Sequence, residues 1–281
     1  MPSYDIARSR LRLGGDHVFA LTQLATGEPV APELTGARDE LRASGLIEES
    51  GALSVLLRPL IETLLNPVVM LSVETAGRQG QLHHGMVIGE NHVYSHEFWP
   101  GATEAEYVPV EPKMLVWALA HMVNLRQEEV TADAAGAGVL DATVGVLDAG
   151  LAALDSLPAI GSAAGDREHI RTALRGAGAP DGPEQALFAD LLAGLRSSWR
   201  ITAAWQGHDD GSPALVSHGL AVWDCGPLGL WHRELPAEPV REGQVGPDSA
   251  LRLRRVAPRR VWELITELLP SGDDIRRREA A

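Results

Sequence analysis

A chain of 281 residues with 45% hydrophobic and 22% charged side chains has an ordinary globular composition, and folding at this length buries roughly three quarters of the unfolded surface without needing a metal or disulfide staple. The 38 acidic against 24 basic residues give a formal charge of −14, which repels phosphate backbones and anionic membranes and argues against nucleic acid as a partner. A single cysteine, Cys225, excludes an intramolecular disulfide and any multi-cysteine zinc or iron–sulfur centre, which fits a reducing compartment.

The opening residues Met1 to Arg12 mix acid and base without an apolar signal-like run, and no stretch nears the roughly 18 uninterrupted apolar residues of a span. A cytoplasmic protein without a membrane span is expected. Gly36 to Leu46 suits a short helix stopped at Gly45, after which Leu46 and Ile47 enter the core. A second helix starts near Leu57 or Arg58, because Pro59 fits a first turn, and buries Leu60, Ile61, Leu64 and Leu65. Asn66-Pro67 closes it, and Val68 to Glu74 reads as a strand.

Gly77 to Gln81 reads as a polar loop, followed by a hairpin of His84 to Ile88 and His92 to Phe98 about Gly89-Glu90-Asn91. A strand from Glu106 to Val110 then leads through Pro112 to a helix with Leu115, Leu119, Met122 and Val123 on one side. The Ala/Gly-rich middle, Glu128 to Arg175, is expected to supply two or three helices, and Gly176 to Pro183 to link two halves. Beyond it come a helix at Leu187 to Leu195, a strand at Trp199 to Trp205, and a polar loop at Gly207 to Pro213. A hairpin from Val216 to Leu235 turns at Cys225 to Gly229, a strand covers Leu251 to Val256, a helix follows Pro258, and Gly272 to Ala281 forms a tail.

The second series repeats the first. Leu60, Ile61, Leu64 and Val68 match Leu191, Leu192, Leu195 and Trp199; His84-Gly85-Met86-Val87-Ile88 matches His218-Gly219-Leu220-Ala221-Val222. Tyr94 and His96 lie near Trp231 and His232, and Val110-Glu111-Pro112 meets Val256-Ala257-Pro258. The spacing between matched residues grows only in loops, as in duplicated folds. The expected fold is α+β, two similar halves in a pseudo-twofold relation, with residues 1–125 as the N-terminal half and 126–281 as the C-terminal half carrying a helical insertion, the two forming one body if packed together.

Sites for chemistry are weak. His83, His84, His92, His96 and Glu97 invite a metal, but His83 and His84 point to opposite faces of a strand, and His92 and His96 are about 13 Å apart along one. Cys225 with His218 or His232 suggests a nucleophile and base, yet the cysteine opens a Gly-Pro turn. A cysteine- or metal-dependent hydrolase-like enzyme using Cys225 or the hairpin histidines is the alternative to a binding protein. Gly36 to Val55 has the outline of a winged helix, but Asp39, Glu40, Glu48 and Glu49 offset Arg38 and Arg42. The better binding surface is a loop aromatic, Trp99, with the loop carrying Gly77, Gln79 and Gln81; the competing reading folds Trp99 back onto the sheet.

The run Ala37-Arg38-Asp39-Glu40-Leu41-Arg42-Ala43-Ser44-Gly45-Leu46-Ile47, then Gly51-Ala52-Leu53 and a leucine helix closed by Asn66-Pro67, resembles the amino-terminal part of the EspG family of type VII (ESX) secretion chaperones of actinobacteria. Phe19-Ala20-Leu21 to Glu28-Pro29 is similar to that family's opening helix. Val222-Trp223-Asp224-Cys225-Gly226-Pro227-Leu228-Gly229-Leu230 resembles its later hairpin, departing at Leu230, where an Arg often follows the turn. The resemblance implies antiparallel sheets flanked by helical bundles, no cofactor, no enzymatic activity, and a cytosolic chaperone that masks an apolar tip of PE/PPE-type clients before export.

Overall fold

The computed structural model describes residues 1–77, 80–125, 138–157, 162–209, 212–236, 243–271 and 274. The N-terminal half begins with strands β1 (Ser3–Asp5) and β2 (Arg10–Gly14) and three helices, α1 (Gly15–Thr26), α2 (Thr35–Ala43) and α3 (Arg58–Leu65). Strands β3 (Val69–Gly77), β4 (Gly80–Ile88), β5 (Val93–Glu97) and β6 (Glu104–Pro109) follow, then α4 (Leu115–Met122). The C-terminal half repeats this order: β7 (Val139–Thr143), α5 (Val144–Asp155), α6 (Ala163–Gly176), α7 (Pro183–Ala193), β8 (Ser197–Asp209), β9 (Ser212–Asp224), β10 (Leu230–Arg233), β11 (Ala250–Val256) and α8 (Pro258–Leu268).

All the strands join one antiparallel sheet, in the order β1-β2-β6-β5-β4-β3-β8-β9-β10-β11-β7. Reading outward from the β3–β8 seam, one side runs β3, β4, β5, β6, β2 and the other β8, β9, β10, β11, β7, which is the pseudo-twofold relation in its simplest form. The halves therefore meet edge to edge: β3 and β8 pair from Val69 opposite Trp205 to Gly77 opposite Ser197. The two sheets expected from the sequence are one continuous sheet.

Side chains alternate across a strand, so each face has its own cover. Val69, Leu71 and Val73 of β3 and Trp199, Ile201 and Ala203 of β8 point to the face carrying α4 and α8, where they share a core with Leu119, Val123, Val261, Ile265 and Leu268. On the other face, α1 to α3 close over Leu11, Leu13 and Tyr94, while α5 to α7 close over Leu140, Trp223, Trp231, Leu251 and Leu253. Proline in the first turn starts α3, α7 and α8, where the missing N–H costs nothing. At the start of α1, the Gly14 amide donates to His17 Nδ1 at 2.9 Å, leaving His17 Nε2 to donate to Glu40 of α2 at 3.1 Å.

Several expectations need correction. Val139 to Thr143, read as helical, is β7, because it pairs with β11 (Leu140 opposite Leu253) at the edge of the sheet; residues 126–137 of the same Ala/Gly-rich stretch lie outside the described residues. Gly176 to Pro183 does not link the halves but joins α6 to α7 within one bundle. The polar loops are hairpin ends: Gly77 pairs with Gly80, and β8 and β9 stay paired to Asp209 and Ser212. In α3, Thr63 is buried and Leu65 exposed. Val69, one residue after Val68, takes the place of Trp199, since both point into the central core. Tyr94 and Trp231 both face the bundles, whereas His96 does so and His232 does not. The winged-helix outline is part of the N-terminal bundle, with Leu41, Leu46 and Ile47 buried in it. Most of the expected tail lies outside the described residues.

Candidate functional site

Of the residues singled out as a binding surface, Gly77, Gln81 and Trp99 lie towards the same end of the sheet but on opposite faces. Gln81 is exposed and lies opposite Ala76, on the face that carries the bundles; Gly77 and Gly80 close the pairing of β3 and β4, and Gln79 lies outside the described residues. Trp99 follows the end of β5 and stands against the other face. Trp99-Pro100-Gly101-Ala102 is a tight turn, with the Ala102 amide donating to the Trp99 carbonyl at 3.0 Å and Gly101 at φ +78°, the conformation that glycine takes after a proline in a type II turn. Both readings of Trp99 hold in part: its ring packs on His84 with centroids 5.4 Å apart, and 48% of its surface stays exposed. Phe98 beside it is also exposed.

The hairpin histidines do not converge. His83 is exposed and His84 buried on the opposite face; His92 is exposed ahead of β5. His96 lies on the bundle face, its Nε2 over the Cα of Gly85, where the Leu71 carbonyl would also stand 2.6 Å from any Cβ. The recurring His-Gly pair thus has a steric reason: Gly85 makes room for His96, and Gly219 for Leu235, whose Cδ1 would stand 2.8 Å from a Cβ there. Among the described residues, no group of three or more His, Cys, Asp or Glu side chains is placed to hold a metal ion.

Cys225 is fully buried at the start of its turn, where its amide donates to the Gly229 carbonyl at 3.0 Å and Asp224 accepts the Gly226 amide at 2.9 Å. Burial, and then the charge of Asp224, push the thiol far up, the opposite of what a nucleophilic thiolate needs. His218, seven positions along β9, is about 23 Å away by strand rise, and His232 stands opposite Val222, about 10 Å back. Neither imidazole is placed to activate the cysteine.

One surface went unread in the sequence. Between the two bundles, β3 and β8 turn a strip of the sheet outward: Met70, Ser72, Glu74, Arg200 and Gln206 are exposed, and Thr202 and Ala204 half-buried. Met70 is the exposed large apolar side chain of these two strands, 48% exposed, with Ala204 opposite it on β8 and Val87 on β4. Gly77, Gly80 and Gln81 border the strip, because Gln81 and His83 face the same way. The alternation Val69-Met70-Leu71-Ser72-Val73-Glu74 carried the signal for one open face.

No protein-family model matches the chain, and no curated protein matches it in sequence. Among solved structures, it is similar in fold to the Mycobacterium tuberculosis type VII secretion system chaperone EspG5, solved in complex with a PE25–PPE41 dimer, with a TM-score of 0.56 and 12% identity over 94% of this chain and 98% of that one. The chain thus has the EspG-like α+β fold along nearly its whole length.

Proposed function

We propose that this protein is a chaperone that binds PE/PPE-like substrates of a type VII (ESX) secretion system in the cytoplasm and keeps them from aggregating before export. The observation that carries the reading is the fold shared end to end with a chaperone solved on a PE–PPE dimer. The chemistry of the surface supports it. A client with an apolar tip needs a complementary uncharged patch, and Met70, Ser72, Thr202 and Ala204 offer one between two walls of helices, bordered by the opposed pair Glu74 and Arg200. The contacts proposed beside it are Gly77 and Gln81 at the hairpin end, with Gln79 from the same stretch of sequence; Trp99, on the opposite face, is a second contact point. The buried, high-pKa Cys225 favours this reading over a cysteine hydrolase.

The test is co-expression with a PE/PPE-like pair encoded near this gene. The untagged pair is expected to remain in solution and to co-purify with the tagged chain. A pair that stays in solution equally well alone and never co-purifies contradicts the proposal.

A further inference from the structure

The Phe98–Trp99 segment is fastened to the sheet through one imidazole. The Phe98 amide donates to His84 Nδ1 at 3.2 Å, and the Trp99 ring lies against the His84 ring at a tilt of 58°. An amide can donate to Nδ1 only if that nitrogen keeps its lone pair, so the neutral ring carries its proton on Nε2. A second proton makes Nδ1 a donor as well. Donor then faces donor, and the hydrogen bond becomes a repulsion.

We infer that His84 is a proton-operated latch: neutral, it holds Phe98 and Trp99 against the middle of β4; protonated, it releases them to solvent.

The groups around the ring set when the latch opens. On the same face, the row running outward from His84 holds Glu97 on β5, Glu106 on β6 and Arg12 on β2. Glu97 favours the proton, whereas Glu106 is already engaged by Arg10 and Arg12. The other neighbour, β3, presents apolar Val73. His83 beside it and His96 on the other face of the sheet oppose a further positive charge. Burial is the largest influence and holds the ring neutral to a lower pH than a free histidine, so the segment stays fastened at neutral pH and opens on acidification. The matching residue of the second half, His218, is exposed and packs edge-on against Trp205, 4.8 Å between centroids.

The test is an NMR titration of the full, client-free chain from about pH 7.5 to about pH 5, following the His84 ring and the Trp99 indole N–H, with Trp99→Phe to assign the indole signal. Both signals are expected to move with one midpoint below the usual histidine range. His84→Gln, whose amide oxygen accepts from Phe98 without titrating, is expected to hold the Trp99 signal still throughout. A Trp99 signal that stays put while His84 titrates in the wild type overturns the latch, whether or not the variant folds. So does a Trp99 shift that persists unchanged in folded His84→Gln. The client plays no part in this measurement, so its outcome is independent of the chaperone reading.

Discussion

Gly85 has no room for a side chain. A Cβ there would meet His96 Nε2 and, at 2.6 Å, the Leu71 carbonyl of the neighbouring strand, which cannot swing aside as a side chain could. Gly85→Ala should therefore destabilise by about 3 kcal/mol, the upper range for overpacking, and His96→Ala should restore only part of it. Urea midpoints of the single and double variants check this. Histidine burial sets the acid limb of stability. His84, His96 and His232 all have pKa values lowered first of all by burial. The unfolded chain then binds protons that the folded chain refuses, so stability is full above about pH 6.5 and falls as pH drops from there towards the lowered folded values. Urea midpoints should drop between about pH 7.5 and pH 5.5. The exposed carboxylates held low by arginine hydrogen bonds, Asp141, Asp181 and Glu267, add their loss only at more acidic pH.

At the scale of elements, α4 and α8 close the central core, and Leu119 and Ile265 are completely buried in it. Leu119→Ala and Ile265→Ala should each cost about 3 kcal/mol, whereas Arg259→Ala, with its side chain 91% exposed, should change little. Thermal or urea unfolding of the three variants decides. These two helices were legible in the sequence because Pro112 and Pro258 mark their entries and a single apolar stripe runs down each. Strand β7 was not legible: Val139 and Leu140 merge with the apolar spacing of α5, and only tertiary pairing with β11, reinforced by Arg252 to Asp141 at 2.6 Å, makes the segment a strand. Trp99 stood out because Pro100 and Gly101 force a turn after it. The strip around Met70 did not, since its openness follows from β3 pairing with β8 across 120 or more residues of chain, beyond the reach of local pattern.

The whole molecule depends on that seam. We propose that residues 1–125 and 126–281 descend from one duplicated unit, because the order of strands and helices is the same outward from β3 and from β8. Expressed alone, residues 1–125 would leave the long edge of β3 unpaired, a template for pairing with another chain. Size-exclusion chromatography should show self-associated species; a stable, folded monomer would contradict the seam's importance. The seam creates the strip between the bundles where a client is proposed to bind. Calorimetric titration of the full chain, and of Met70→Arg, with a purified PE/PPE-like pair tests this. The wild type is expected to bind and the variant to bind at least roughly tenfold more weakly, since a buried unpaired charge costs more than about 1.4 kcal/mol; equal affinity for the two chains would rule out the strip as the client's seat.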